Sequence, residues 1–388
     1  MITGYLTDND LYKFTTMNAI QKLYPEAYVK YSFINRGNTA FPDGFGEHLR
    51  AEINNMASIQ MTREEESFIS SRCYYFDPVF IDLLKGFRYN PEEVSISQSG
   101  STLSINIEGL WYRTALWEVP VLAMVSELFY LMNSAEPVDV EKRAAEKAAR
   151  LAEMEAGYSD FGTRRRFSFD VQDRVISELK KHSGGYFKGT SNVYFAMKHD
   201  LLPLGTHPHE WFMFHGAEFG YRSANVKALD AWVEVYKGYL GTALTDTYTT
   251  QNFFSGFSTL HAKLFDGLRH DSGDPLSFTD TAIDFYKSRR TDPSTKTIVF
   301  SDALDLEKIR KIRRHVNGRI NDVYGIGTFL SNDAGHKPLN IVLKMTHSKM
   351  KNNDTYHPTV KLSDDTGKHV GEKEEIELCK RILGLGNL

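Results

Sequence analysis

Two neighbouring stretches, "FDGLRHDSGDPLSFTDTAIDFYKSRR" (265–290) and "TKTIVFSDALDLEKIRKIRRHV" (295–316), share one pattern. Each begins with a short apolar segment, passes through polar or glycine residues, and continues as a helical pattern. The same order occurs in "TALTDTYT" (242–249), which precedes "TLHAKLF" (259–265), and in "NDVYGIGTFLSND" (321–333). Strands that alternate with helices in this way predict a parallel sheet, and their repetition favours a barrel over an open sheet.

The remainder of the chain predicts a second structural region. Residues 1–118 mix helical pieces with strand-like alternation, as in "AYVKYSFINR" (27–36), and alternation returns from residue 338. We therefore expect an α+β lobe over residues 1–118, joined by residues 338–388. The α/β barrel domain is expected over residues 119–337.

Composition excludes several classes of protein. Among 388 residues, 46 Lys and Arg face 50 Asp and Glu, so a formal charge of −4 gives no basic surface for nucleic acid. The apolar run "VPVLAMVSELFYLM" (119–132) contains Glu127 and is too short to cross a bilayer, so it predicts a buried helix. The start resembles no signal peptide, and Cys73 and Cys379 lie far apart. We expect a cytoplasmic protein that binds a small molecule and no membrane.

Polar residues follow three of the predicted strands. The candidates are Arg269 and Asp271 after the first, Ser301 and Asp302 after the second, and Gly325, Gly327 and Thr328 after the third. Arginine binds phosphate, carboxylates hold sugar hydroxyls or Mg²⁺, and glycines let backbone N–H groups approach an anion. Together they predict a sugar-phosphate site at the strand ends. The alternative is that the Asp and Ser residues of "DSGDP" (271–275) and "SDALD" (301–305) are ordinary helix N-caps.

Three histidines stand together in "LGTHPHEWFMFH" (204–215). An H-x-H pair at a strand end is one way in which barrel hydrolases hold zinc, which makes a metal-dependent hydrolase the competing function for His207 and His209. Packed, non-catalytic histidines are the simpler interpretation of His207 and His215. His209 precedes Glu210, whose carboxylate favours an imidazolium and orients the ring, so His209 is the candidate to attack a phosphoryl group.

The stretch "DFGTRRRFSFD" (160–170) places three arginines after a phenylalanine and a glycine. Arg164, next to the aromatic and the glycine, is the candidate for an anion contact. Arg165 and Arg166 are expected to form a solvated basic surface.

Motifs along nearly the whole chain resemble the nicotinate phosphoribosyltransferase family. They include "TDNDLYKFTTMNAIQKLYP", "YSFINR", "DFGTRRRFS", "FKGTSNV", "GTHPHEWFMFH", "GLRHDSGDP", "VFSDALDLE" and "YGIGTFLSND", in order from residue 7 to about residue 345. The resemblance implies a type II phosphoribosyltransferase with an incomplete α/β barrel packed against an open-faced α+β sandwich lobe. The implied reaction joins nicotinate to 5-phosphoribosyl 1-diphosphate, giving nicotinate mononucleotide and diphosphate, with ATP hydrolysis coupled to it.

The resemblance also implies a role for each matching residue. His209 is the phosphohistidine, Arg269 and Asp271 hold base and ribose, and Phe161 with the neighbouring subunit's Tyr12 sandwiches the pyridine ring. Arg164 and His209 face the diphosphate, while Ser301, Asp302, Gly325, Gly327 and Thr328 lie on the 5-phosphate side. Asp10 is a further substrate-binding residue, and Ser191 selects the acid over the amide, since nicotinamide-using relatives place Asp there. The alternative for Ser191 is that it only caps the helix that follows Gly189.

The remaining expectations concern cofactors and partners. ATP is expected as a co-substrate, Mg²⁺ arrives with the diphosphate, and no metal is held by the protein alone. The family resemblance further implies a homodimer with shared active sites and a place in NAD biosynthesis.

Overall fold

A computed structural model describes residues 2–386 of the chain. Within this range the α-helices are α1 (Leu11–Leu23), α2 (Phe45–Asn55), α3 (Arg63–Arg72), α4 (Pro78–Gly86), α5 (Trp111–Thr114), α6 (Glu118–Met132), α7 (Val140–Glu153), α8 (Phe169–His182), α9 (Val193–Lys198), α10 (His209–Phe219), α11 (Ala224–Tyr236), α12 (Thr250–Gly256), α13 (Thr259–Leu264), α14 (Pro275–Ser288), α15 (Leu306–Val316), α16 (Thr328–Ser331) and α17 (Lys373–Leu383).

The strands of the same range alternate with these helices over much of the chain. They are β1 (Tyr28–Asn35), β2 (Val94–Ser99), β3 (Thr102–Leu110), β4 (Gly157–Asp160), β5 (Phe187–Thr190), β6 (Leu202–Pro203), β7 (Thr242–Leu244), β8 (Gly267–His270), β9 (Thr297–Phe300), β10 (Asn321–Ile326), β11 (Ile341–Lys349) and β12 (His357–Pro358).

The chain forms two compact units that are not continuous in sequence. Unit 1 runs from the N-terminus to Asn18 and includes Lys30–Gly205 and Ile326–Lys344. Unit 2 contains Ala19–Val29 and Thr206–Gly325, together with the chain from Met345 onward. The predicted barrel domain over residues 119–337 therefore contributes to both units, and its sequence boundaries stay a prediction.

Unit 2 is organised by four parallel strands in the order β10-β9-β8-β7. Helices follow the strands as predicted: α12 and α13 follow β7, α14 follows β8, and α15 follows β9. Side chains at the predicted positions begin these helices, because Asp274 accepts a hydrogen bond from Ser277 N and Asp305 accepts one from Lys308 N. The helix-cap alternative therefore holds for Asp274 of "DSGDP" and for Asp305 of "SDALD".

The glycine that begins β8 lets the strands approach closely. Gly267 pairs with Thr297 of β9, and a Cβ at this glycine would overlap the carbonyl oxygen of Thr297. A larger residue here must push β8 away from β9 or distort the backbone of one of them.

Unit 1 contains three further parallel strands and a separate hairpin. The parallel strands lie in the order β6-β5-β4, and each is followed by helical structure. β2 and β3 form an antiparallel hairpin, and β1 lies next to β3 on the side away from β2. The α/β class predicted from the sequence, with parallel strands leading into helices and a separate set of α+β elements, is confirmed.

One helical run in unit 1 is apolar enough to resemble a membrane span. Residues Trp111–Met132 form 22 helical residues, longer than the run predicted, because α5 and a short 3₁₀ turn precede α6. This run is mostly buried, 78% of its most apolar window lying inside the unit, as expected for a core helix. The predicted buried helix is confirmed.

We predict that Gly267→Ala destabilises the protein by about 1–3 kcal/mol, because the added methyl group meets the backbone of β9. The urea midpoint of unfolding measures this change. Gly86→Ala is the matched control, since open space surrounds that helix-terminal glycine, and its midpoint should stay close to that of the parent. Equal midpoints for the two variants would contradict the account of the β8–β9 contact.

Candidate functional site

The strand register of unit 2 brings three polar residues to one edge. Leu244, Arg269 and Val299 are register partners on β7, β8 and β9. The residues two positions beyond them are Asp246, Asp271 and Ser301. Parallel strands that start in line also end in line, so these three side chains meet at the carboxyl edge of the sheet.

His209 joins this edge as the first residue of α10. Its Nε2 lies 2.7 Å from Asp246 Oδ1 and 3.7 Å from Asp271 Oδ2. Among the described residues none forms a hydrogen bond to Nδ1. With Nε2–H donating to Asp246, the lone pair of a neutral ring lies on Nδ1. We call His209, Asp246 and Asp271 the histidine–carboxylate cluster.

Asp246 is the most enclosed member of the cluster, with no exposed surface. Its Oδ2 accepts a hydrogen bond from Ser272 Oγ at 2.7 Å and lies 3.4 Å from Lys361 Nζ. Burial alone would raise the pKa of Asp246, but Lys361, and after it His209 and Ser272, hold it well below the usual range. The carboxylate is therefore ionised.

The His209 imidazole is neutral at physiological pH. Burial, followed by the charge of Lys361, lowers the pKa of His209 to about 4, against the opposing effects of Asp246 and Asp271. A neutral imidazole oriented by a carboxylate is a nucleophile with one defined nitrogen. The sequence interpretation expected Glu210 to orient the ring, but His209 Nε2 donates a hydrogen bond to Asp246.

Arg269 is anchored by side chains at the same edge. Its Nε donates to Ser301 Oγ, one Nη donates to Thr206 Oγ1 and the other to Asp271 Oδ1, each at 2.8 Å. Ser301 Oγ in turn donates to Asp271 Oδ1 at 2.5 Å. The structure thus brings together Arg269, Asp271, Ser301 and His209, all of which the sequence predicted for one site.

The other two histidines of the motif are packing residues. Both ring nitrogens of His207 are buried without a hydrogen-bond partner in the described chain, and the ring packs edge-on against Trp232 at 4.5 Å. Burial, and then the charge of Arg269, lowers the pKa of His207 to about 3. His215 is also buried and bonds to Trp211 O at 2.6 Å. The alternative of a His207–His209 zinc pair is therefore wrong.

A different trio has the spacing of metal ligands. One ligand atom each from His209, Asp246 and Asp271 lies within 4.8 Å of the others. Both carboxylates already have cationic partners, because Arg269 Nη lies 2.8 Å from Asp271 and Lys361 lies near Asp246. These charges oppose a divalent ion, so the trio is better suited to orienting the imidazole.

Unit 1 contains a second group of predicted site residues. Ser191 Oγ donates to Asp10 Oδ1 at 2.8 Å, and both side chains are buried. Burial raises the pKa of Asp10, with Arg164 and Ser191 opposing the change. Asn192, and not Ser191, caps α9 by accepting a hydrogen bond from Phe195 N, which removes the capping interpretation of Ser191.

Arg164 is positioned by an acidic residue that the sequence did not single out. Glu118 Oε1 lies 3.4 Å from Arg164, while Oε2 lies 2.5 Å from Lys13 and 3.2 Å from the Tyr12 hydroxyl. Burial alone would raise the pKa of Glu118, but Lys13 and Arg164 lower it to about 2. Tyr12 and Arg164 thus share one ionised partner within the same chain.

The three arginines of residues 164–166 have different surroundings. Arg166 is fully buried and donates to both carboxylate oxygens of Asp8, at 2.7 and 2.8 Å. The expectation that Arg166 lies on a solvated surface is wrong, because a bidentate ion pair compensates its burial. Arg165 is half-buried, and Arg164 keeps 35% of its side chain exposed.

The remaining predicted residues lie on or near the strand ends. Phe161 N donates to Ile326 O at 2.8 Å, and a Cβ at Gly327 would contact Phe161 O. Gly327 and Thr328 follow β10 in unit 1, whereas Gly325 belongs to β10 in unit 2. The Asp302 carboxylate lies 2.6 Å from Lys368 Nζ.

In unit 2, the sequence interpretation missed two residues that contact the site, Asp246 and Lys361. Asp246 follows β7 just as Asp271 follows β8, so the rule of polar residues at strand ends, applied to "TALTDTYT", would have found it. Lys361 lies in the C-terminal part of the chain, and nothing in its local sequence connects it with His209.

Comparison with known families agrees with this geometry. The nicotinate phosphoribosyltransferase N-terminal domain matches residues 7–126, and the nicotinate phosphoribosyltransferase family model matches residues 157–387. The chain belongs to the nicotinate phosphoribosyltransferase family.

Relatives of that name match over nearly their whole length. The nicotinate phosphoribosyltransferase of Chromohalobacter salexigens is 49% identical over 383 residues, covering 98% of each chain. That of Desulforapulum autotrophicum is 47% identical, covering 98% of this chain and 99% of the relative. The crystal structure of nicotinate phosphoribosyltransferase from Porphyromonas gingivalis superposes with a TM-score of 0.96 at 48% identity, covering 99% of this chain and 100% of the other.

We predict that His207→Leu leaves the free energy of unfolding within about 1 kcal/mol of the parent or raises it, because it replaces two unsatisfied polar atoms with apolar ones. His215→Leu is the comparison. It removes the hydrogen bonds to Trp211 O and the Tyr24 hydroxyl and should cost about 1–3 kcal/mol. Urea denaturation measures both variants, and a larger loss in His207→Leu than in His215→Leu would refute this assignment.

Proposed function

We propose that this enzyme phosphorylates His209 with ATP and uses that step to drive nicotinate phosphoribosylation. As a member of its family, the chain is a nicotinate phosphoribosyltransferase and acts in NAD biosynthesis. The coupling to ATP is the proposal, and one observation carries it. A neutral, oriented imidazole stands at the sheet edge where His209 meets Asp246.

The phosphoryl step follows from the orientation of the ring. The Nδ1 lone pair attacks the γ-phosphorus of ATP, the bond from that phosphorus to the bridging oxygen breaks, and ADP leaves with the electron pair. The Nε2 proton stays in its hydrogen bond to Asp246, whose charge stabilises the ring as it becomes positive. We therefore propose Nδ1 as the phosphorylated atom, and water later releases the phosphate.

The transfer step requires little proton movement. The ribose C1 loses diphosphate through an oxocarbenium-like state, and the lone pair of the pyridine nitrogen forms the new C–N bond. Positive charge near the leaving diphosphate is what this step needs, and Arg164 is proposed to supply it. Arg269, which Ser301, Thr206 and Asp271 hold in place, is proposed to hold base and ribose. Mg²⁺ that arrives with the diphosphate would share this charge stabilisation.

The other predicted site residues are proposed to recognise the substrates' remaining groups. Phe161 and Tyr12 would hold the pyridine ring, Tyr12 from a neighbouring subunit, and Arg164 would bind an anionic group. Ser301, Asp302 and the turn of Gly325, Gly327 and Thr328 are proposed for the 5-phosphate side.

Ser191 is proposed to favour the acid by carrying no charge. Its hydroxyl donates to Asp10, so it supports Asp10 and does not act as a free donor to the substrate. A carboxylate at position 191 would stand against Asp10 and repel a second anion.

A homodimer and a cytoplasmic location belong to the same proposal. Both cysteines, Cys73 and Cys379, are free and buried, as is usual in reducing compartments.

We predict that ATP-derived label on the parent enzyme is acid-labile and base-stable, as a P–N bond requires, and that His209→Ala takes up none. ATP-independent transfer between nicotinate and 5-phosphoribosyl 1-diphosphate should survive in part in this variant. His207→Leu is the control and should keep full labelling. Label that persists in His209→Ala would refute the phosphohistidine.

We predict that Ser191→Asp lowers kcat/KM for nicotinate by at least about tenfold, since like charges brought together cost several kcal/mol. Ser191→Asn has the same shape as that variant but no charge, so its kcat/KM for nicotinate should fall much less. Steady-state kinetics with nicotinate and nicotinamide measure the change. Equal losses in the two variants would mean that shape at residue 191, and not charge, sets the specificity.

A further inference from the structure

The C-terminal part of unit 2 returns to the sheet edge that carries His209. Residues 359–362 are buried, and the backbone N–H of Leu362 donates to Thr247 O at 2.8 Å. Thr247 directly follows Asp246, so this main-chain bond sets the register of the segment against the end of β7. Lys361 also exchanges two backbone hydrogen bonds of 2.8 Å with Val370. The position of Lys361 is thus fixed from both sides.

The Lys361 side chain leads from this backbone to the histidine–carboxylate cluster. Only 5% of the residue is exposed, and its Nζ lies 3.4 Å from Asp246 Oδ2. Asp246 Oδ1 bonds to His209 Nε2 at 2.7 Å. The Asp246 carboxylate therefore lies between the Lys361 ammonium group and the His209 imidazole. A change in the charge of Lys361 affects the carboxylate and, through it, the imidazole.

We propose that Lys361 is a positioning residue for His209, holding the Asp246 carboxylate in place and supplying the positive charge that keeps the imidazole unprotonated. This inference rests on the proposed function of His209 as the phosphoryl acceptor.

The charges that surround His209 support this role. The described groups that face it are Asp246 after β7, Arg269 and Asp271 on and after β8, and Lys361 on the returning segment. Two carboxylates alone would favour an imidazolium, which has no free lone pair to attack phosphorus. Arg269 is paired with Asp271, which leaves Lys361 as the cation paired with Asp246. Burial and Lys361 together lower the pKa of His209 to about 4.

A purely structural role for Lys361 gives a different expectation. An ion pair that only compensates the buried Asp246 would lower stability when lost, and would reduce phosphorylation equally at every pH. A residue that controls the protonation of His209 changes the pH dependence itself. The shape of the pH profile therefore distinguishes the two roles.

The test uses the full-length enzyme and follows the initial rate of label transfer from γ-labelled ATP between about pH 4 and about pH 9, so that the range includes the lowered pKa of His209. The parent should show a flat rate through neutrality. In Lys361→Met the acid limb should move up by about one pH unit or more, because removing a nearby charge shifts a pKa by that amount. Its rate should recover as the pH rises. Lys361→Arg keeps the charge and should keep the parent profile.

Lys296→Met is the matched control. Lys296 is also a buried lysine of unit 2, 7% exposed, but it donates to the carbonyls of Lys263 and Phe265 and has no contact with the cluster. If Lys296→Met lowers the rate of label transfer, it should lower it equally at every pH and leave the shape of the pH profile unchanged. Lys361→Gln serves in place of the Met variant if the latter does not fold, with the same expected shift.

Two results would overturn the inference. One is a Lys361→Met profile that superposes on that of the parent after scaling. The other is a rate of label transfer that falls by the same factor at every pH in both Lys361→Met and Lys361→Arg. A parent enzyme without label, or label that survives His209→Ala, is a separate result, because it contradicts the proposed function itself.

Discussion

The buried carboxylate of Asp246 is the constraint on which the chemistry of unit 2 depends. An ionised carboxylate without exposed surface is costly unless charged and hydrogen-bonding partners surround it. Its partners come from three separate parts of the chain: His209 from the start of α10, Ser272 from the loop after β8, and Lys361 from the C-terminal segment. Removing any one leaves a charge undercompensated, so the carboxylate ties these parts together at one sheet edge.

Buried carboxylates organise unit 1 in the same way. Asp8 accepts two hydrogen bonds from Arg166 and a third from Asn192, which joins two loops proposed to bind substrate. Asp160, at the end of β4, accepts hydrogen bonds from Gln172, Thr190 and the backbone of Gly162, although burial raises its pKa to about 6. These networks contact the loops and leave Arg164 partly exposed. Buried carboxylate networks that hold the loops, together with an arginine whose side chain is partly exposed, suit the binding of an anion.

The sequence predicted the site residues whose positions depend on a local strand–helix pattern. It failed for residues whose surroundings depend on contacts with distant parts of the chain. Asp271 and Ser301 directly follow β8 and β9, Arg269 lies within β8, and the parallel register of these strands brings such residues together. The burial of Arg166 was not predictable, because it depends on an ion pair with Asp8, which lies far away in sequence. Lys361 is the clearest case: a main-chain bond to Thr247, more than 100 residues earlier, positions it, and no local pattern encodes that contact.

The central claim is that Asp246 fixes His209 as a neutral ring with its proton on Nε2. Nitrogen-15 NMR of enzyme labelled at histidine tests this most directly, with the His209 signals assigned by their absence in His209→Ala. We expect a protonated Nε2 and an unprotonated Nδ1 at neutral pH, and the same pattern down to about pH 5, because the pKa of His209 is lowered to about 4. An imidazolium at neutral pH, or a neutral ring with its proton on Nδ1, would contradict it.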